Sequence, residues 1–98
     1  MNTQIPQFYN NKDLIYDEIW NLLSRGVVDR GEDFRLPTVI LNDGKLSDGR
    51  VVVLRGAFKD INTIRFHTDY RSDKIRILQN NNNIYFVFYN KKRKIQVR

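Results

Sequence analysis

The chain has 98 residues, with 17 lysines and arginines against 11 acidic residues, a formal charge of +6, and no cysteine. That length suits one small domain. The missing cysteines exclude disulfides and thiolate metal sites and fit a reducing compartment. No apolar run approaches the roughly 20 residues a membrane helix needs.

The first residues, MNTQIPQFYNN, lack the apolar run of a secretory signal. The expectation is therefore a soluble, cytoplasmic protein whose residues 1–11 are flexible. The positive charge suits an anionic partner, and charge alone does not choose among nucleic acid, an anionic membrane surface and a phosphorylated small molecule.

Residues 12–25, KDLIYDEIWNLLSR, place Ile15, Ile19, Leu22 and Leu23 on one helical stripe with Trp20 beside it. Asn11 is suited to cap this helix, Asp13 suits its positive first turn, and Gly26 is the expected stop. Residues 25–37 are crowded with charge. The expectation there is either a solvated linker or a cover over a barrel mouth, with Arg30 and Arg35 paired to Asp29, Glu32 and Asp33.

Beyond it the period changes to two. TVILN (38–42) predicts a strand, and DGKLSDG supplies turn chemistry after it. RVVVLRGAF (50–58) is aliphatic on both faces and predicts one central, doubly covered strand. In NTIRFHT (62–68), Ile64 and Phe66 are expected inward, with Arg65 and His67 on the other face.

SDKIRILQN (72–80) predicts a short helix capped by Ser72, and the asparagines at 80–83 end it. IYFVFY (84–89) and KIQVR (94–98) predict a hairpin across NKKRK. The fold class is therefore mainly β with some α: a small antiparallel barrel or curled sheet with a helix against it. The last strand reaches the final residue without a closing neighbour. Either a partner chain covers that edge, or the chain is the front portion of a longer domain.

Candidate chemistry is sparse. Arg50, Arg55, Ser72 and Lys74 are the cationic and hydroxyl groups best suited to hold a phosphate, the last two at the start of a predicted helix. The alternative is that Ser72 merely caps the helix and the cations are solvated. His67 is the only histidine, so neither a catalytic triad nor a zinc site is recognisable. Asp17, Glu18, Asp29, Glu32 and Asp33 show no pairing suited to acid–base work. The KKRK run at 91–94 is either a nucleic-acid patch or a solvated turn. Tyr85, Phe86, Phe88 and Tyr89 can stack bases, but one continuous apolar strand is better read as packing.

Taken together, RVVVLRG, FHTDYRSDK and FYNKKRKIQVR, in this order and spacing, resemble the pyridoxamine 5′-phosphate oxidase family of FMN-binding split barrels. The upstream IWNLLSRGVVDRGEDFRLPTVIL is similar to the amino-terminal part of the same family. The resemblance implies an antiparallel split β-barrel, here incomplete and the N-terminal portion of a longer family domain. It also implies FMN as cofactor, held at the interface of a homodimer, and flavin oxidoreductase activity on a small molecule. It carries the flavin phosphate onto Arg50, the ring's flank onto the backbone of Val51, Val52, Val53 and Leu54, and a position near flavin and substrate onto Arg55. Further contacts fall on His67, Thr68, Ser72, Lys74 and Gln96.

Two positions depart from the family's oxidases. Asp73 stands between Ser72 and Lys74 where they have arginine, and the aromatic strand ends in Tyr89 rather than tryptophan. These departures bear on oxidation of pyridoxamine phosphate rather than on flavin binding. A flavin- or haem-binding module without turnover is the second reading, and a basic nucleic-acid-binding β-barrel is the third.

Overall fold

The computed structural model describes residues 10–42, 44–45, 47–67 and 83–98. Helix α1 spans Lys12–Val28. The side chain of Asn11 accepts from the backbone N–H groups of Asp13 at 3.0 Å and Leu14 at 3.1 Å, so two of the first-turn donors are satisfied as the sequence suggests. The predicted stripe faces inward, with Trp20, Leu22 and Leu23 buried.

Gly26 does not stop the helix, which runs two residues further. Its missing side chain serves packing instead. A Cβ built there would lie 2.9 Å from the backbone nitrogen of Arg35 and 2.9 Å from the carbonyl carbon of Phe34. The chain crosses directly over α1 at this point.

The crossing segment is a 3-10 turn, Asp33–Arg35, entered through Glu32. Phe34 is fully buried beneath it. The expected pairing of Arg35 with a neighbouring acid does not occur. Its Nη1 donates to the carbonyl oxygens of Val27 at 2.9 Å and Gly26 at 3.3 Å. The last carbonyls of a helix have no partner within it and carry partial negative charge, so a guanidinium in reach settles there.

The acids of this stretch have other partners. Glu32 accepts from Asn90 Nδ2 at 2.7 Å, Asp33 from the backbone N–H of Lys91 at 3.0 Å, and Asp29 from that of Gly31 at 2.8 Å. The charged segment is thus a clasp joining the end of α1 to a distant turn. Arg35→Ala is expected to lower stability by about 1–2 kcal/mol, because two helix-end carbonyls lose a charged donor. A urea denaturation midpoint indistinguishable from wild type would contradict this.

Strand β1, Thr38–Asn42, pairs antiparallel with β2, Ser47–Val51, and with β5, Ile84–Asn90; β5 then pairs with β6, Ile95–Val97. The four-stranded sheet has the order β2-β1-β5-β6. A second sheet holds β3, Leu54–Phe58, and β4, Thr63–Phe66, joined by a 3-10 turn at Lys59–Ile61. Asn62 closes that turn in the left-handed region, a conformation asparagine tolerates better than most residues.

The single strand expected over 50–58 is two strands in two sheets. The reason lies in its neighbour. Thr38 opposite Val51 is the last pair of the β1–β2 ladder, and Val52 then donates to the carbonyl of Pro37 at 3.0 Å. Upstream of Pro37 the chain has turned into the clasp, so nothing extended remains for Val53 to pair with. The chain crosses to the second sheet and resumes at Leu54. Nor is the run covered on both sides, for Val51 is 60% exposed. Ser47–Gly49, expected in the turn, belong to β2.

Two buried clusters follow from this split. Trp20, Leu22, Leu23, Phe34, Leu54 and Phe88 form the larger one between α1 and both sheets. Val39, Leu41 and Val52 form the smaller, with Phe66, Ile84 and Phe86 against it. The fold is a mainly β, antiparallel split barrel that is not closed, with a helix at its flank. The helix expected over 72–80, its asparagine stop and the flexible amino terminus lie outside the described residues, apart from Asn10, Asn11 and Asn83.

Candidate functional site

Alternation along the four-stranded sheet sorts its side chains. Val39, Leu41, Ile84, Phe86 and Phe88 face the core, while Ile40, Tyr85 and Tyr89 face out. Cross-strand partners share a face, so Arg50 opposite Val39 and Asp48 opposite Leu41 lie on the inner side. Of the four aromatics in β5, the two phenylalanines are core, stacked with ring centroids 6.0 Å apart, and the two tyrosines are exposed.

Arg50 sits one residue before the end of β2, with its side chain 39% accessible. Its Nε donates to Asp48 Oδ2 at 2.8 Å and its Nη2 to Asp48 Oδ1 at 2.9 Å. Residues two apart on a strand point the same way, which is what allows this planar, two-bond pairing. Reading the sequence for cations passed over Asp48. The signal was present in the alternation of SDGRV, once those residues are taken as strand rather than turn.

From Arg50 the run crosses between the sheets with Val52 and Leu54 buried, Val53 half-buried and Val51 exposed. Leu54 pairs with Phe66 at the end of the β3–β4 ladder. Val53 and exposed His67 each lie one residue beyond that pair, at the same end of it. Arg50 thus lies three residues before Val53 along the crossing run, and His67 one residue beyond the end of the β3–β4 ladder.

Arg55 and Gln96 are elsewhere. The β3–β4 register shifts between Leu54 and Gly56, leaving Arg55 as the extra residue of a bulge. A bulge re-aims its side chain, and Arg55 lines a hollow of about 290 Å³ beside α1 with Ser24, Val27, Phe58 and Arg65. Gln96 lies opposite Tyr89 on β6, at the other edge of the four-stranded sheet from Arg50 and on its outer face. Thr68, Ser72 and Lys74 lie outside the described residues.

The lysine-rich turn between β5 and β6 is partly tied down. Arg93 Nε meets Glu18 Oε1 at 2.9 Å, and the backbone N–H of Arg93 donates to Asn90 Oδ1 at 2.8 Å. With the phenylalanines of β5 inside, only Tyr85 and Tyr89 of its aromatics are exposed, on the outer face of the sheet. Among the described residues no cluster of three or more metal-ligating side chains occurs, and no helix is long and apolar enough to cross a membrane.

Two antiparallel sheets that part without closing, with a helix packed at the flank, define an open split-barrel domain. The family model described as pyridoxamine 5′-phosphate oxidase, FMN-binding domain, matches residues 20–98, and the chain belongs to that family. Comparison with curated protein sequences finds no match.

Proposed function

We propose that the chain binds FMN between two copies of itself and works as a pyridoxamine 5′-phosphate oxidase-like flavin oxidoreductase. The observation that carries this reading is the position of Arg50, an accessible guanidinium at the point where the family's arginine-to-leucine strand crosses from one sheet to the other. FMN offers a phosphate dianion and a flat apolar ring. The guanidinium suits the first, and the backbone of residues 51–54, part of it outside any ladder, suits the second. The resemblance adds His67, which ends the β4 side of the same junction, together with Thr68, Ser72 and Lys74.

Gln96 supports the dimer. It lies at the opposite edge and on the opposite face of the sheet from Arg50, so it can serve a flavin held by a second copy rather than its own. The outer face that presents it also exposes Ile40, Val51, Tyr85 and Tyr89. An apolar sheet face of this kind suits association with another molecule. Bound flavin supplies the redox chemistry, and the residues of the chain bind it, orient it and exclude water.

Titration of the purified chain with FMN, followed by quenching of flavin fluorescence, tests the reading. Saturable binding is expected, and Arg50→Gln is expected to weaken it about 10- to 100-fold, the size of a lost charge-assisted pair of hydrogen bonds. Riboflavin, which has no phosphate, should bind both proteins alike. A chain that leaves FMN fluorescence untouched at millimolar protein sinks the proposal. Bound flavin that stays oxidised under NADH or NADPH would favour the module without turnover.

A further inference from the structure

We infer that Asp48 sets the strength and salt dependence of phosphate binding at Arg50, acting as a built-in competitor for the incoming anion. The inference rests on the reading that Arg50 receives the phosphate, and it concerns a residue that reading does not use. The Asp48 carboxylate already holds Arg50 through two bonds, at 2.8 and 2.9 Å. Both side chains stand on the same face of β2, and their strand neighbours Leu41 and Val39 are fully buried.

Side chains two apart on a strand start about 7 Å from each other. Because the Asp48 carboxylate is bonded to the guanidinium itself, a phosphate on Arg50 has that carboxylate as a near neighbour. Two opposing effects follow. The carboxylate holds the guanidinium still, which lowers the ordering cost of binding. It also repels the dianion, and this repulsion acts on two charges at close range beside a dry core, where screening is weaker than in bulk water.

Repulsion is the larger effect. The ordering gain concerns one side chain already confined to a strand, whereas the Coulomb cost doubles with the charge of the ligand. Asp48 is only 21% accessible at its side chain, so water does not fully shield it. Phosphate binding is then an exchange in which one anion loosens its hold as another arrives. Flavin without a phosphate escapes this penalty.

Asp48→Asn isolates the charge, because the amide oxygen can still accept from Arg50 Nε. In the 98-residue chain this variant is expected to bind FMN about three- to tenfold more tightly than wild type at low ionic strength, with the difference shrinking below about twofold in 0.5 M salt. Riboflavin affinity should be unchanged. Asp48→Ser, which also removes the charge, should move FMN affinity in the same direction and guards against a folding defect in the first variant. Wild-type protein that binds FMN, with both variants equal to it or weaker, overturns the inference and leaves the flavin reading intact. Absence of FMN binding by wild type and variants alike overturns both.

Discussion

Asn90→Ala is expected to destabilise the chain by about 2–4 kcal/mol, which for a domain of this size lowers the thermal midpoint by roughly 10–20 °C. Asn90 holds two ends of the clasp. Its Nδ2 donates to Glu32 at 2.7 Å, and its Oδ1 accepts from the backbone N–H of Arg93 at 2.8 Å. Glu32 is only 8% exposed. Its remaining contacts are longer, 3.5 Å to the backbone N–H of Phe34 and 3.8 Å to the half-exposed guanidinium of Arg25.

Removing Asn90 therefore leaves a buried carboxylate with one weak hydrogen bond and a distant cation, and stranding a buried charge costs more than the bond itself contributed. Glu32→Gln in the otherwise wild-type chain is the comparison. It removes the charge while keeping an acceptor for Asn90, so its cost should be smaller than that of Asn90→Ala. Urea denaturation of the two variants decides. A loss under 1 kcal/mol for Asn90→Ala would mean that water enters and solvates Glu32.

The second large effect is one whose sign is contested by two forces. Gly26→Ala replaces the poorest ordinary helix former by the best, a gain of about 1 kcal/mol in a helix interior and less here, in the last turn of α1. Against it stands the crossing segment. The new Cβ would meet three backbone atoms, Arg35 N at 2.9 Å, Phe34 C at 2.9 Å and Phe34 O at 3.1 Å. Backbone does not rotate aside as a side chain does. The 3-10 turn must lift, which loosens fully buried Phe34 and strains the bonds from Arg35 to the end of α1.

Overpacking of this kind costs about 1–3 kcal/mol and more where backbone must move. A net loss of about 2–3 kcal/mol is expected, read from the same denaturation curves. Ser24→Ala, on the exposed side of the same helix, should be neutral or slightly stabilising. If Gly26→Ala proved as stable as wild type, the close crossing of the clasp over α1 would be wrong.

Much of the fold was legible in the sequence because it depends on neighbours along the chain. Asn11 marked the start of the helix and the leucine stripe marked its buried face. TVILN and IYFVFY declared their strands by composition. The resemblance of three spaced motifs named a family that the match over residues 20–98 bears out. Errors arose where a local signal was overruled by something distant. Gly26 looked like a helix stop, but glycine is demanded there by a segment nine residues on. RVVVLRGAF looked like one strand, and propensity gave no hint that its partner runs out at Pro37.

The candidate site divides in the same way. Arg50 stood out as a cation on an aliphatic strand, whereas Asp48 did not, because a carboxylate beside glycines reads as turn until its strand register is known. The five-residue spacing already sets Arg55 on the opposite face from Arg50, and only the resemblance adds Gln96. A bulge sends one toward α1, and sheet order puts the other at the opposite edge.

Helix, strand composition, charge and family are properties of short stretches, and the amino-acid order alone determined them. Which strand pairs with which, where a ladder ends, and which side of a sheet a cation faces depend on contacts between residues tens of positions apart. Those contacts are set by the burial of Phe34, Leu54 and Phe88 against α1 in a shared core. Only the folded chain decided them, because packing in three dimensions outweighs any preference a short stretch can express by itself.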